Sequence, residues 1–126
     1  MAENKTVRSI TGRQTTAGAA EETVLLTLDG AAPAASIAVG VDATLTVTDW
    51  IVTSEAAARW RFQQTNDGVS WFDIALLRGA SDGTIGINVG TGLVVAGGSL
   101  VAVRVLVETT GGATAVTTTL RGYTAP

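Results

Sequence analysis

An all-β, antiparallel β-sandwich of jelly-roll-like form with about nine strands is the fold that this sequence predicts, and three observations predict it. Apolar residues alternate with threonine and other polar residues in one segment after another, which is the period of a half-buried strand. Turn signals recur between those segments, among them Asp29-Gly30, Asn66-Asp67-Gly68, Ser81-Asp82-Gly83 and Gly111-Gly112, at the spacing expected of sandwich hairpins. Helical patterning is nearly absent. Ser54 to Ala58 is the one plausible helix start, with Ser54 as cap, and the alternation of Arg59-Trp60-Arg61-Phe62 stops it within a turn.

Taken in order, residues 1–20 hold one short alternating piece around Thr6 to Ile10 and then a Thr, Gly and Ala stretch with no periodic apolar face. This is expected as an amino-terminal arm, with an edge strand and an ordered loop as the alternative, and residues 21–126 as a single sandwich domain. Glu22 to Asp29 reads as a strand with Val24, Leu26 and Leu28 on one side. Ala31 to Ala35, with Pro33, is one helical turn or a loop, and Ile37, Val39 and Val41 mark a second short strand. Ala43 to Thr53 begins with Leu45 and Val47 inward and threonines outward. A bulge near Asp49-Trp50 is expected to move Trp50 to the face the threonines had occupied.

The segment from Ala57 to Arg78 holds four of the six aromatic residues: Trp60, Phe62, Trp71 and Phe72. A three-residue loop ending in Gly68 predicts that Thr65 faces Val69, which sets Phe62 opposite Phe72 and Trp60 opposite Ile74. The other face then carries Arg59, Arg61, Gln63, Trp71, Asp73 and Ala75. Farther on, Ile85, Ile87 and Val89 share a face, a short strand covers Leu93 to Ala96, and Val101, Val103, Val105 and Val107 point one way along Ser99 to Thr109. Gly111-Gly112 is expected to close a last hairpin with Val107 against Val116, Val105 against Thr118 and Val103 against Leu120.

Composition excludes several classes of function. The chain has 126 residues, enough for one core without staples. Its formal net charge of −3, with eight Lys and Arg spread thinly, argues against a nucleic-acid groove. The most apolar run, Leu93 to Val107, is broken by Gly97, Gly98 and Arg104, so no membrane segment is expected. The amino end lacks the apolar core of a secretory signal, and the mature chain is expected to start there. With no cysteine and no histidine, nucleophile–base pairs and nearly all zinc sites are unavailable. Asp49, Asp73 and Glu108 could supply a carboxylate pair, but Asp73 faces Arg61, which is more simply an ion pair, so no enzyme is expected. The Asp-Gly loops at Thr65 to Gly68 and Ser81 to Thr84 offer oxygen ligands, yet suit ordinary turns better, so neither metal nor cofactor is expected. Charged residues make up only 15% of the chain, and such a surface is easier to explain if neighbouring subunits cover much of it.

Trp71, with Arg59, Arg61 and Gln63 beside it and Trp50 near, offers an aromatic platform of the kind that holds a sugar or a partner's side chain. The alternative is an arginine stem stacked on Trp71 for packing alone. Trp60 to Trp71, WRFQQTNDGVSW, resembles a hairpin of discoidin-like carbohydrate-binding sandwiches and of β-rich structural proteins of tailed bacteriophages. The whole chain is similar in style to small phage capsid decoration, or cement, proteins: short, cysteine-free, rich in Thr, Ala, Gly and Val, with a polar amino end. That resemblance implies a structural virion protein that assembles in the host cytoplasm, binds the major capsid protein on the capsid surface and forms homo-oligomers, with trimers favoured. It places partner contacts at Lys5, Arg8 and Arg13 of the arm and at Arg59, Arg61, Trp71 and Trp50. A glycan-binding or host-attachment module of a fibre or tail is the alternative.

Overall fold

The computed structural model describes residues 5–41, 43–79, 83–109 and 111–126, with backbone alone for 78, 79 and 83–92. Alternation becomes ten strands: β1 (Thr6–Thr16), β2 (Glu22–Thr23), β3 (Leu26–Leu28), β4 (Ile37–Ala38), β5 (Thr44–Ser54), β6 (Ala58–Thr65), β7 (Trp71–Gly79), β8 (Gly83–Ala96), β9 (Ala102–Thr109) and β10 (Thr114–Ala125). One sheet has the order β3-β1-β10-β5-β8, and the second has β2-β9-β6-β7 with β4 also on β9. All pairings are antiparallel. The two sheets pack face to face as a β-sandwich.

The core is aliphatic, as a chain with so few aromatics requires, but two tryptophans and a phenylalanine sit at its centre. Trp50, Trp60 and Phe62 are fully buried among Val24, Val52, Val103, Val105 and Leu120. Trp50 comes from the first sheet and Phe62 from the second, with ring centroids 5.9 Å apart, so this contact ties the layers together. The indole N–H of Trp50 donates to Thr118 Oγ1 at 2.9 Å, which satisfies the one polar atom that such a ring carries inward.

The expected bulge exists, one residue earlier than Asp49. Arg121 pairs with Asp49 but Gly122 with Val47, leaving Thr48 as the extra residue. Its effect corrects the sequence reading. Leu45 and Val47 before it and Trp50 and Val52 after it are all buried, so the bulge keeps Trp50 on the core face rather than moving it to the threonine face. Gly122 is fitted to this bend, because a Cβ there would lie 1.8 Å from the carbonyl oxygen of Thr46.

Three other expectations change. Thr6–Thr16, the bulk of the expected arm, is a strand paired along its length with β10 and in part with β3. It lies between β3 and β10 in the sheet, with Ile10 and Thr16 buried and Thr11 and Arg13 exposed, a pattern hidden by the small residues between them. Second, Thr65 pairs with Trp71, so the aromatic hairpin has a five-residue loop, and Ile74 is an extra residue between Ala75 opposite Phe62 and Asp73 opposite Gln63. Phe62 therefore faces Ala75, and Trp60 faces Leu77. Phe72, set opposite Gln64 by the longer loop, is 47% exposed at the rim, whereas Ala75, moved by the extra residue, packs on the core.

Third, β9 and β10 do not form a hairpin. β9 lies between β2 and β6, and β10 lies between β1 and β5 in the other sheet. Val103, Val105, Val107, Val116, Thr118 and Leu120 are nevertheless all buried. Strands that face each other across a core require the same inward pattern as strands that pair edge to edge, so the pattern alone could not separate the two. Glu22 to Leu28 likewise divides between the sheets, with β2 on β9 and β3 on β1. Ala31 to Ala35 is a loop returning to β3, where Leu26 and Ala34 exchange backbone hydrogen bonds of 2.8 Å, and no helix begins at Ser54, which lies at the end of β5. The turn expected at Ser81-Asp82 lies outside the described residues, as does the shared side-chain face of Ile85, Ile87 and Val89.

Candidate functional site

The outer face of the second sheet carries a connected row of polar side chains, each placed there by strand alternation. On β6, Trp60 and Phe62 point inward, so Arg59, Arg61 and Gln63 point out. On β9, the buried valines leave Arg104 and Glu108 outward. Arg61 sits between two carboxylates: its Nε donates to Asp73 Oδ1 at 2.9 Å and an Nη donates to Glu21 Oε1 at 2.9 Å. Gln63 continues the row, its Nε2 donating to Asp73 Oδ1 at 3.0 Å while its Oε1 accepts from Arg104 Nε at 2.8 Å. Arg104 then lies over Trp71, 4.2 Å from the ring centre. Arg59 stands apart in an ion pair of 3.0 Å with Glu108.

These contacts fix the charge states. Hydrogen bonds from Arg61 and then Gln63 hold the Asp73 carboxyl below the usual carboxylate value, and the bonds to Asp73 and Glu21 raise Arg61. Burial pulls Arg104 below the ordinary arginine value, against the attraction of Glu21. Asp73 thus stays ionised through the neutral range, where it is a poor proton donor. The arrangement is suited to holding a shape: Gln63 is only 3% exposed, and each of its amide groups has a partner.

Of the site residues expected from sequence, Arg59, Arg61 and Trp71 share this face. Trp50 does not join them, because it is wholly buried in the core with its N–H held by Thr118. Lys5, Arg8 and Arg13 belong to the first sheet or its approach, on the other side of the sandwich. Lys5 lies 4.7 Å from the ring centre of Tyr123, and Arg8 pairs with Asp29 at 2.8 Å. Arg13 stands exposed beside a depression of about 580 Å³, which Thr11, Thr27, Thr117 and Thr119 also line. The sequence reading missed Arg104 as the residue that covers Trp71, although its polar position among alternating valines was visible. It also missed the threonine depression, where β10, from the far end of the chain, joins β1 and β3.

The Asn66–Ser70 loop shows what its aspartate does. Asp67 Oδ1 accepts from the backbone N–H of Val69 and of Ser70, each at 2.8 Å, and Thr65 Oγ1 accepts from Gly68 N–H at 2.9 Å. Gly68 has the expected positive φ, 79°. The bonds from Ser70 and Val69 lower the Asp67 pKa. Its carboxylate is therefore occupied by loop amides, and among the described residues no group of three or more acidic side chains converges as a metal ion would need.

Comparison with protein-family models, with curated proteins and with solved structures finds no match for this chain.

Proposed function

We propose that this protein is a structural component of a virion, bound to the outside of a bacteriophage capsid, which it stabilises as an oligomer. The observation that carries the reading is the open edge of the second sheet. β7 ends that sheet, and among the described residues no strand pairs with its outer side. Phe72 and Leu76, 47% and 52% exposed, stand along it, and its nine residues contain neither lysine nor proline, the usual guards of an exposed edge. Such an edge favours addition of another strand or apolar surface. A low density of charge on the chain favours close approach of copies, and modest contacts repeated over several capsid subunits add by multivalency.

The pairing of β6 with β7 nested inside that of β5 with β8, with β9 and β10 returning beside β6 and β5, supports the jelly-roll form of the sandwich. Since Thr6–Thr16 is already paired within the domain, the edge of the sandwich, rather than that segment, is the contact this reading assigns to the partner. A trimer at capsid threefold positions is the assembly proposed.

The test is light scattering on the purified chain, repeated after mixing with empty capsids of the phage that carries it and pelleting them. A trimer that pellets with the shells is expected, and Leu76→Lys, an exposed change, should reduce both the oligomer and the pelleted fraction. A monomer that stays in the supernatant overturns the proposal.

A further inference from the structure

The polar depression on the first sheet is a second surface, independent of the β7 edge, and its chemistry differs. Register places Thr27, Thr11 and Thr119 in one row across β3, β1 and β10, and Arg13, Thr117 and Thr53 in the next row across β1, β10 and β5. The residues between them, Ile10, Val116, Thr118 and Leu120, are buried, so these rows point outward. The loop that brings Ala34 back to Leu26 raises a wall beside β3, from which Leu25, 51% exposed, and Pro33 line the depression. The resulting volume, about 580 Å³, lies within the range of small-ligand sites, roughly 300–1,000 Å³.

The groups available to a ligand are few in kind. Backbone amides of the floor are engaged in the β1–β10 and β1–β3 ladders, which leaves hydroxyls and one guanidinium. Thr11 and Thr27 share a hydroxyl–hydroxyl bond of 2.9 Å, and Thr53 and Thr117 share another; a hydroxyl with one donor and two acceptor positions keeps capacity after a single bond. Arg8, Arg59 and Arg61 each have a carboxylate partner. Arg13 has none among the described residues, and its register neighbours on β10 and β1 are threonines.

We infer that this depression is a binding site for a carboxylate-bearing saccharide, with the acid taken by Arg13, ring hydroxyls by Thr11, Thr27, Thr117 and Thr119, and the apolar side of a sugar ring against Leu25 and Pro33. A guanidinium binds a planar carboxylate through two parallel bonds, whereas a neutral sugar would leave it unused. A phosphate polymer is disfavoured by the net negative chain and the single cation of the trough. Among the described residues no aromatic side chain lines the site, so single-site binding is weak and gains from repetition on an assembly.

Amide spectra of the ¹⁵N-labelled full chain, titrated with trigalacturonate, its methyl ester and triglutamate, test this. Trigalacturonate should shift Thr11, Arg13, Thr27, Thr117 and Thr119, with the ester and triglutamate at least about tenfold weaker, the scale of one lost charge-assisted contact. Arg13→Gln, an exposed change, should lower trigalacturonate affinity by a similar factor and leave the rest of the spectrum in place. Thr119→Val should weaken it less. Equal binding of the ester, equal binding of triglutamate, an unchanged Arg13→Gln titration, or no shift in the trough would each overturn the assignment. None of these outcomes bears on capsid pelleting, so the two readings fail separately.

Discussion

Trp50 shows how one residue joins burial to hydrogen bonding in this core. Its ring fills the space between the sheets against Phe62, and its N–H would be orphaned there without Thr118. Thr118→Val keeps the volume but removes the acceptor, so the protein should lose about 1–3 kcal/mol, the cost of an unsatisfied buried donor, read as a lower urea midpoint with unchanged slope. Asp67 makes the corresponding case at the surface. Its folded pKa lies below the unfolded value, so its contribution is present above the ordinary carboxylate range and is lost as pH falls through the folded value. Hydrogen exchange at Val69 and Ser70, corrected for intrinsic rates, should lose protection in that acid window, and Asp67→Ala should remove it at neutral pH. At this scale much was legible: the positive φ of Gly68, the turn role of Asp67 and the contact of Arg61 with Asp73 were all expected. Trp50 was expected as a surface partner and is not one, because the bulge at Thr48 turns it into the core.

At the scale of elements, alternation told correctly which residues face the core and failed to tell which strands are neighbours. Val103, Val105 and Val107 on β9 and Val116, Thr118 and Leu120 on β10 do share the interior, but they meet across it. A single inserted residue had a similar effect in the aromatic hairpin. The five-residue loop sets Phe72 opposite Gln64 at the exposed rim, and Ile74, inserted after it, turns Ala75 and Leu77 inward and Leu76 out to the open edge. That shift is why the proposed assembly contact could not be read from the chain, whereas Arg59, Arg61 and Trp71, which lie on the expected outward positions, could.

For the whole molecule, low aromatic content and high threonine content have a common expression: an aliphatic core with hydroxylated outer faces. The sandwich followed from composition, turns and period. The depression with Arg13 did not, because its floor brings Thr117 beside Thr11 and Thr27 from across most of the chain. Its position on β1 was further concealed by a sequence of small and polar residues that reads as a free segment.

Because Thr6 lies opposite Thr124, the two ends of the described chain leave the sandwich side by side, while the Asn66–Ser70 loop is exposed and joins strands of the other sheet. The connectivity is therefore close to a closed ring whose opening point is arbitrary. A permuted chain, joined from Ala125 to Thr6 through a flexible linker and opened at Val69, keeps every sheet pairing. It should give the same far-ultraviolet dichroism as the parent, with a lower midpoint from the broken Asp67 loop. The point at which the strand order is cut is thus separable from the architecture it reaches.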